Sequence, residues 1–200
     1  MSALYPVFLK LDGLPVVVVG GGTVAAGKLD GLLAAGARVT VIAPAIADAI
    51  RARDVTIIVS EFRPAHLAGA RWVVAAATPE VNRDVATAAA ARGLFVNAVD
   101  DTGNASAYLG GVVRRGPVEI AISTGGLAPA LAGLLREALD AVLPDELERW
   151  IVVATAARHA WKRDGVPITD RRPLLLRALE RLYSAPATQP PAAQVPAVPS

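Results

Sequence analysis

Four valines run without interruption into three glycines, Val16-Val17-Val18-Val19-Gly20-Gly21-Gly22, and a helix-like stretch, Thr23-Val24-Ala25-Ala26-Gly27-Lys28, follows at once. A continuous β-branched run is the pattern of a strand buried on both faces of a parallel sheet. The glycines supply a tight turn, and the segment after them supplies a helix N-terminus. Such a turn lets backbone N–H groups approach a pyrophosphate, and the helix dipole favours the negative charge. A chain built around this segment is constrained to an α/β plan, with a nucleotide as the first candidate ligand at the turn.

Two phosphate loops compete for the same residues. Gly20-x-Gly22-x-x-Ala25 fits the dinucleotide fingerprint G-x-G-x-x-G/A directly after a strand. Gly22, Gly27 and Lys28 also give G-x-x-x-x-G-K, but a P-loop continues with Ser or Thr, whose hydroxyl holds magnesium. Leu29 stands there and cannot ligate a metal. The strand also ends at Gly20, so a P-loop would begin inside the turn. The dinucleotide reading is preferred, with a glycine turn that binds nothing as the bland alternative. One part of the fingerprint is missing. An acid usually ends the second strand, about 20 residues on, and bonds the ribose hydroxyls. Here that strand reads Arg38-Val39-Thr40-Val41-Ile42-Ala43 and runs into Pro44. The ribose has to be held by backbone near Pro44 and Ala45, or by another loop.

The first half alternates strands at 15–19, 38–43, 55–59, 72–76 and 94–99 with helices at 24–35, 46–53 and 81–92. That is the signature of βαβ units, so the fold class is α/β with a Rossmann-type parallel sheet. Gly36 is placed to cap the first helix. The plan then changes. Residues 107–113 and 117–123 read as two strands joined by Arg114-Arg115-Gly116, and helices are expected at 129–143, stopped by Pro144, at 147–161 and at 172–183. The remainder, 184–200, is rich in Ala and Pro, has nothing to bury and reads as a disordered tail.

Composition enters as exclusion. Hydrophobic residues make up 54% of the chain, yet no apolar run reaches the roughly 18 residues of a membrane helix. Met1 to Asp12 has no basic segment ahead of an apolar core, so no signal peptide is expected. There is no cysteine, which excludes disulfides, thiolate catalysis and cysteine metal sites. A cytoplasmic protein fits. Net charge is +2, lysine is confined to Lys10, Lys28 and Lys162, and arginine supplies nearly all the positive charge. Its two-pronged fork suits carboxylates and phosphates, although surface solubility accounts for most of these arginines.

In an open parallel sheet, ligands bind outside the carboxyl ends of the strands. Those ends are Gly20-Gly21-Gly22, Ala43-Pro44, Ala77-Thr78-Pro79 and Asn97-Ala98-Val99-Asp100-Asp101. Only the last carries ionisable groups. A carboxylate beside a nicotinamide can act as general base or orient substrate. Asp also favours turns, and either aspartate could simply shape the loop before Gly103-Asn104. Ser123-Thr124-Gly125-Gly126 precedes a helix and either binds an anion or caps that helix. His66 and His159 lack a close His or acid at metal-ligand spacing, so no metal site is assigned. Trp72, Trp150 and Trp161 read as core or interface anchors.

Taken in order, Gly20-Gly21-Gly22-Thr23-Val24-Ala25, Asn97-Ala98-Val99-Asp100, and Ala121-Ile122-Ser123-Thr124-Gly125-Gly126-x-x-Pro129-Ala130-Leu131-Ala132 with Leu135-Arg136-Glu137 resemble the precorrin-2 dehydrogenase family. That module is also the N-terminal part of siroheme synthase. The opening Tyr5-Pro6-Val7-Phe8-Leu9-Lys10-Leu11 is similar to the family's usual start. The resemblance covers residues 4–145, with a weaker helical continuation to Tyr183. It implies NAD-dependent oxidation of precorrin-2 to sirohydrochlorin, and in some relatives a sirohydrochlorin ferrochelatase activity that inserts Fe2+ at the same site. It also implies an NAD-binding Rossmann domain over 1–112, a strand-plus-helix dimerisation segment over 113–145 and a small helical domain over 146–183, assembled as a homodimer.

The family lacks the ribose acid, which accounts for Ala43-Pro44. Its cofactor contacts fall on Thr23, Val24, Pro44 and Ala45, beside Gly20 and Gly22 of the fingerprint and Thr78 at the end of the fourth strand. Its essential aspartate falls on Asp100, which could take a proton, orient the macrocycle or assist a metal's approach. Precorrin-2 is a polycarboxylate, so Arg114, Arg115 and Arg136, with Ser123, Thr124 and Gly125, are candidates for holding it.

There are departures from the family pattern. Gly27 precedes Lys28 where Arg-Lys is common, which removes a positive charge near the phosphates. Leu127-Ala128-Pro129 loses a hydroxyl at Ala128, and Gly110-Gly111 replaces a usual proline and should loosen that strand. These bear on substrate affinity and chelation more than on the dehydrogenase. A stand-alone enzyme without a methyltransferase part is expected. Two other readings fit the residues less well. A regulatory module that only senses NAD(H) would ordinarily keep the ribose acid. A short-chain dehydrogenase needs Tyr-x-x-x-Lys, which none of Tyr5, Tyr108 and Tyr183 supplies.

Overall fold

In the computed structural model, which describes residues 4–184, β1 (Pro15–Val19) is the central strand of a five-stranded parallel sheet. Its neighbours are β2 (Arg38–Ala43) and β4 (Trp72–Ala75), with β3 (Thr56–Val59) beyond β2 and β5 (Val96–Ala98) beyond β4. Val17 lies opposite Thr40 on one side and Val73 on the other. The four valines of β1 are buried because the sheet is covered on both faces. Val16 and Val18 pack with Ala25 and Leu29 of α1 (Thr23–Ala34). Val17 and Val19 pack with Val85 and Ala89 of α3 (Pro79–Ala90). Each fully buried valine contributes on the order of 1.5–3 kcal/mol, so the β1 run alone commits the chain to this sheet. α2 (Asp48–Arg51) is a single turn, shorter than the 46–53 expected, because only Ile50 there is buried.

The helix ends follow local chemistry. Past α1, Gly36 takes φ +75°, with Gly36 N–H bonded to the Leu33 carbonyl and Ala37 N–H to that of Leu32. This is a Schellman closure, which needs a residue free to enter the left-handed region. The start of α1 is set at Gly20. Its φ is +132°, and a Cβ there would overlap the Ala76 carbonyl oxygen at the exit of β4.

The chain divides into two units. The first comprises Met1–Gly111 with Ala121–Arg136, and the second comprises Val112–Ile120 with the chain from Glu137 onward. β6 (Gly111–Arg115) and β7 (Val118–Ile122) form a two-stranded hairpin, and α4 (Pro129–Val142), α5 (Leu147–Arg163) and α6 (Ile168–Ser184) follow. The sequence placed the first hairpin strand at 107–113 with Arg114 and Arg115 in the turn. Instead both arginines belong to β6, and the turn is Gly116-Pro117. The reason is that Ser106 and Ala107 pair back to Val96 rather than onward. α6 starts at Ile168, earlier than 172, and keeps Pro173 inside it. Within the second unit, Arg115 Nη2 donates to the carbonyl and carboxylate of Asp140 at 3.1 and 3.0 Å, and Trp150 Nε1 donates to the Tyr183 hydroxyl at 2.8 Å. The tail read as disordered lies, beyond Ser184, outside the described residues. Among the described residues no helix is long and apolar enough to cross a membrane.

The glycine turn yields a stability test. Gly20→Ala is expected to cost at least about 2 kcal/mol, from backbone overlap and a disfavoured φ. Gly22→Ala, where no atom lies within 4 Å of the added Cβ, is expected to cost under about 1 kcal/mol. Urea unfolding of the two variants beside the parent chain measures the contrast.

Candidate functional site

The site is built from three strand ends of the first unit. At the end of β1, the turn is packed tightly on one side and open on the other. Gly20 N–H donates to the Ile42 carbonyl at 2.9 Å, and Ala47 N–H donates to the Gly21 carbonyl at 2.8 Å. A Cβ on Gly21 would overlap the Ala45 carbonyl, whereas a Cβ on Gly22 would meet open space. No side chain caps α1, and its first internal bond runs from Ala26 N–H to the Gly22 carbonyl. The N–H groups of Thr23, Val24 and Ala25 therefore lack intrahelical acceptors. An anion fits this arrangement: glycine backbone without side chains, unpaired donors and the positive end of a helix dipole. Pro44 and Ala45 run exposed over the turn with no acid, and Thr23 and Val24 are exposed beside it.

At the end of β4, Thr78 takes a structural part. Its carbonyl accepts from Asn82 N–H at 2.8 Å. Its hydroxyl bonds the Glu80 carboxylate, which is held below the usual carboxylate range first by Glu80's own backbone N–H, then by Thr78 and more weakly by the charge of Arg83. Asn82, not singled out in the sequence, is 3% exposed, and its Oδ1 accepts from Ala77 N–H at 3.0 Å. Val24, Ala77, Pro79 and Asn82 help line a cavity of about 240 Å³, but Thr78 does not.

The end of β5 carries Asp100, the one non-glycine residue with positive φ among the described residues, at +56°. Aspartate tolerates this region far better than a β-branched residue. The loop around it is tied at both ends. Val99 N–H donates to the Ala75 carbonyl at 2.9 Å. Downstream, Ser106 and Ala107 N–H both donate to the Val96 carbonyl, Val96 N–H donates to Ser106 Oγ at 2.8 Å, and Asn97 Nδ2 donates to the Ala107 carbonyl at 3.0 Å. The two aspartates differ. Asp101 is engaged in the turn, its carboxylate accepting from Asn104 N–H at 3.2 Å and from Asn104 Nδ2 at 2.7 Å. The Asp100 carboxylate is exposed and makes no hydrogen bond or ion pair with the described residues.

A second cavity of about 300 Å³ shares Val99, Asp100 and Asp101 with the first and is lined further by Lys28, Ser123 and Thr124. Ser123 Oγ accepts from Gly125 N–H at 3.1 Å, and Thr124 Oγ1 accepts from Ala128 N–H at 3.2 Å. Both oxygens thus shape the entry to α4, as a cap would, while each hydroxyl keeps a proton to donate. Gly125 and Gly126 have φ of +64° and +78°, and Gly126 packs against Thr102 and the Tyr108 ring. The Ser123 turn is thereby brought against the Asp100 loop.

Not every candidate is gathered here. Arg114 Nε bonds Glu119 at 2.7 Å within the second unit, and Arg136 stands beside Gly111 without lining either cavity. Gly110 is no slack point: a Cβ there would overlap the Ile122 carbonyl, so it marks a close approach instead of the loosening expected. Lys28, Tyr108 and Asn82 were missed as site residues. Only Lys28 left a signal, as one of three lysines in the chain. Among the described residues no group of three His, Cys, Asp or Glu could hold a metal.

Residues 7–111 match the family described as "Putative NAD(P)-binding", and residues 115–141 match that described as "Sirohaem biosynthesis protein central". The chain is similar to siroheme synthase 1 of Aeromonas salmonicida (strain A449), 42% identical over 186 residues, which are 90% of this chain and 39% of that protein. It is similar also to a siroheme synthase of Neisseria meningitidis serogroup C (strain 053442), 38% identical over 173 residues, 84% of this chain and 36% of that one. The chain thus spans less than two fifths of the length of these curated relatives. Among solved structures it is similar to SirC, precorrin-2 dehydrogenase, with a TM-score of 0.66 at 21% identity, covering 91% of this chain and 100% of the other. At that identity the likeness is one of fold.

The tie between β5 and Ser106 is open to test. Ser106→Ala leaves the buried Val96 N–H without its acceptor, which costs about 1–3 kcal/mol. Thermal unfolding is expected to register that loss, and amide exchange at Val96 is expected to accelerate.

Proposed function

The chain belongs to the NAD(P)-binding family that its residues 7–111 match, and we propose that it uses NAD to oxidise precorrin-2 to sirohydrochlorin in siroheme biosynthesis, as a cytoplasmic homodimer. The observation that carries this reading is the position of Asp100. It is an unpartnered carboxylate on a wall common to two cavities, one reaching Val24 after the glycine turn and one lined by hydroxyls and a lysine. A binding module needs the first cavity; a dehydrogenase needs both, with a proton acceptor between them.

In this reading the N–H groups of Thr23 and Val24 hold the pyrophosphate, with the open face at Gly22 admitting it. Gly20 and Thr78 fix the strand ends around it, and the backbone of Pro44 and Ala45 holds the ribose in place of the missing acid. Bound there, NAD supplies the hydride acceptor. Asp100 takes the proton that leaves the macrocycle as the hydride departs, so the two hydrogens lost are accounted for as one hydride to NAD and one proton to the carboxylate. The hydroxyls of Ser123 and Thr124 and the N–H of Gly125 donate to substrate carboxylates. Arg114 and Arg136 take a lesser part, because Arg114 is paired with Glu119 and Arg136 lines neither cavity. The match of 115–141 to the sirohaem central family sets that stretch apart from the NAD(P)-binding match at 7–111, and in this reading 113–145 is the dimerisation segment and 146–183 a helical domain.

Incubation of the purified protein with precorrin-2 and NAD is expected to produce NADH and the sirohydrochlorin spectrum together. Asp100→Asn is expected to lower turnover by at least about 100-fold without changing the unfolding midpoint. Gly22→Ala is expected to raise the KM for NAD by at least about tenfold, since its Cβ fills the open face. NAD binding without turnover of precorrin-2 would overturn the proposal in favour of a sensing module. A final arm adds Fe2+ as substrate: siroheme formed faster than in a protein-free control assigns chelation to the protein as well.

A further inference from the structure

We infer that Lys28 is the anchor for a carboxylate of the tetrapyrrole, setting which edge of the macrocycle enters the larger cavity; this rests on the proposal that the cavity takes precorrin-2. Lys28 lies on α1, is half-buried, and lines the 300 Å³ cavity together with Asp100, Ser123 and Thr124. It is the one cation among the residues lining either cavity. Among the described residues it has no ion-pair or hydrogen-bond partner.

The helix explains why it is left unpaired. Its neighbours at three and four residues' spacing are Val24, Ala25, Gly31 and Leu32, none of them charged. Asp30, the nearest acid in sequence, points about 200° around the helix and is bonded to Arg53 at 2.8 Å. Of the acids lining the cavity, Asp101 is bonded to Asn104, and Asp100 makes no hydrogen bond or ion pair with the described residues. Lys28 is thus the cavity's one cation, beside two carboxylates, of which Asp101 is taken up by Asn104; Lys28 and Asp100 are the charges left without a partner, and they do not pair with each other. A ligand satisfies both if it turns a carboxylate to Lys28 and a proton-releasing edge to Asp100. A polycarboxylate macrocycle does so. The ammonium also fills a gap, since none of the three candidate arginines, Arg114, Arg115 and Arg136, lines the cavity.

A role toward the cofactor phosphates is the competing assignment. It is disfavoured by position. Lys28 lies six residues beyond Gly22, about 9 Å along the helix axis, and the cavity it lines includes no residue of the glycine turn.

The test uses the full chain with Lys28→Met, which keeps length and removes charge, and Lys28→Arg, which keeps charge. Sirohydrochlorin binding is titrated by its absorbance at rising salt, and initial rates are measured against precorrin-2 and against NAD. Lys28→Met is expected to weaken sirohydrochlorin binding and raise the precorrin-2 KM by about tenfold, to flatten the salt dependence, and to leave kcat and the NAD KM within about twofold. Lys28→Arg is expected to recover most of the loss. Unchanged sirohydrochlorin binding in Lys28→Met overturns the inference while leaving the dehydrogenase reading intact. A raised NAD KM reassigns the lysine to the phosphates and also overturns it. A parent chain that binds NAD but neither tetrapyrrole overturns both.

Discussion

Everything in the first unit depends on the burial of β1 between β2 and β4. A strand with covered faces and paired edges cannot slide or turn over, so its exit point is fixed. At that exit the chain has to pass under the Ala76 carbonyl and against the Ala45 carbonyl. Only residues without a side chain can make both approaches, which is why glycines stand at positions 20 and 21. The third glycine is under no such constraint from the protein. Its open face is a vacancy in packing terms, and packing alone gives no reason to keep a glycine there. A ligand backing onto the helix N-terminus gives one.

The same economy of backbone shapes the far side of the site. Asp100 sits in the left-handed region of a loop whose upstream end is bonded to β4, through Val99 and Ala75, and whose downstream end is bonded to β5, through Ser106 and Ala107. Asp101, next in sequence, has the geometry to accept from Asn104 and does so. Two adjacent carboxylates, both lining the cavities, are thereby divided into one bonded within the loop and one left without a partner. The glycine pair at 125 and 126 completes the wall, letting the Ser123 turn lie against Thr102 and Tyr108.

Much of the fold was legible in the chain. The five sheet strands, their βαβ connections, the Gly36 closure and the helices after Pro129 follow from periodicity, β-branching and turn chemistry, which act over a few residues. The hairpin was read less well. Residues 107–113 have strand-like composition, and nothing local reveals that Ser106 and Ala107 bond back to Val96 while Gly110 is pressed against the Ile122 carbonyl. Those are contacts across ten and twelve positions, decided by the sheet edge available. The arginines meet a similar limit: charge can be counted in the sequence, but the partner beside it, such as Glu119 for Arg114, cannot be read there.

By itself the sequence determined the α/β plan, the glycine turn and the set of strand ends where a ligand could sit, because each rests on steric rules that hold within a short segment. The family likeness added Asp100 as the residue to watch. Only the tertiary structure decided which groups are free at the site. Lys28 and Asp100 are separated by two α-helices, four strands and their connections, and they share a cavity because α1 packs on the sheet that carries β5. Whether a charge is paired depends on what long-range packing places beside it, and that information is not held in any one stretch of chain.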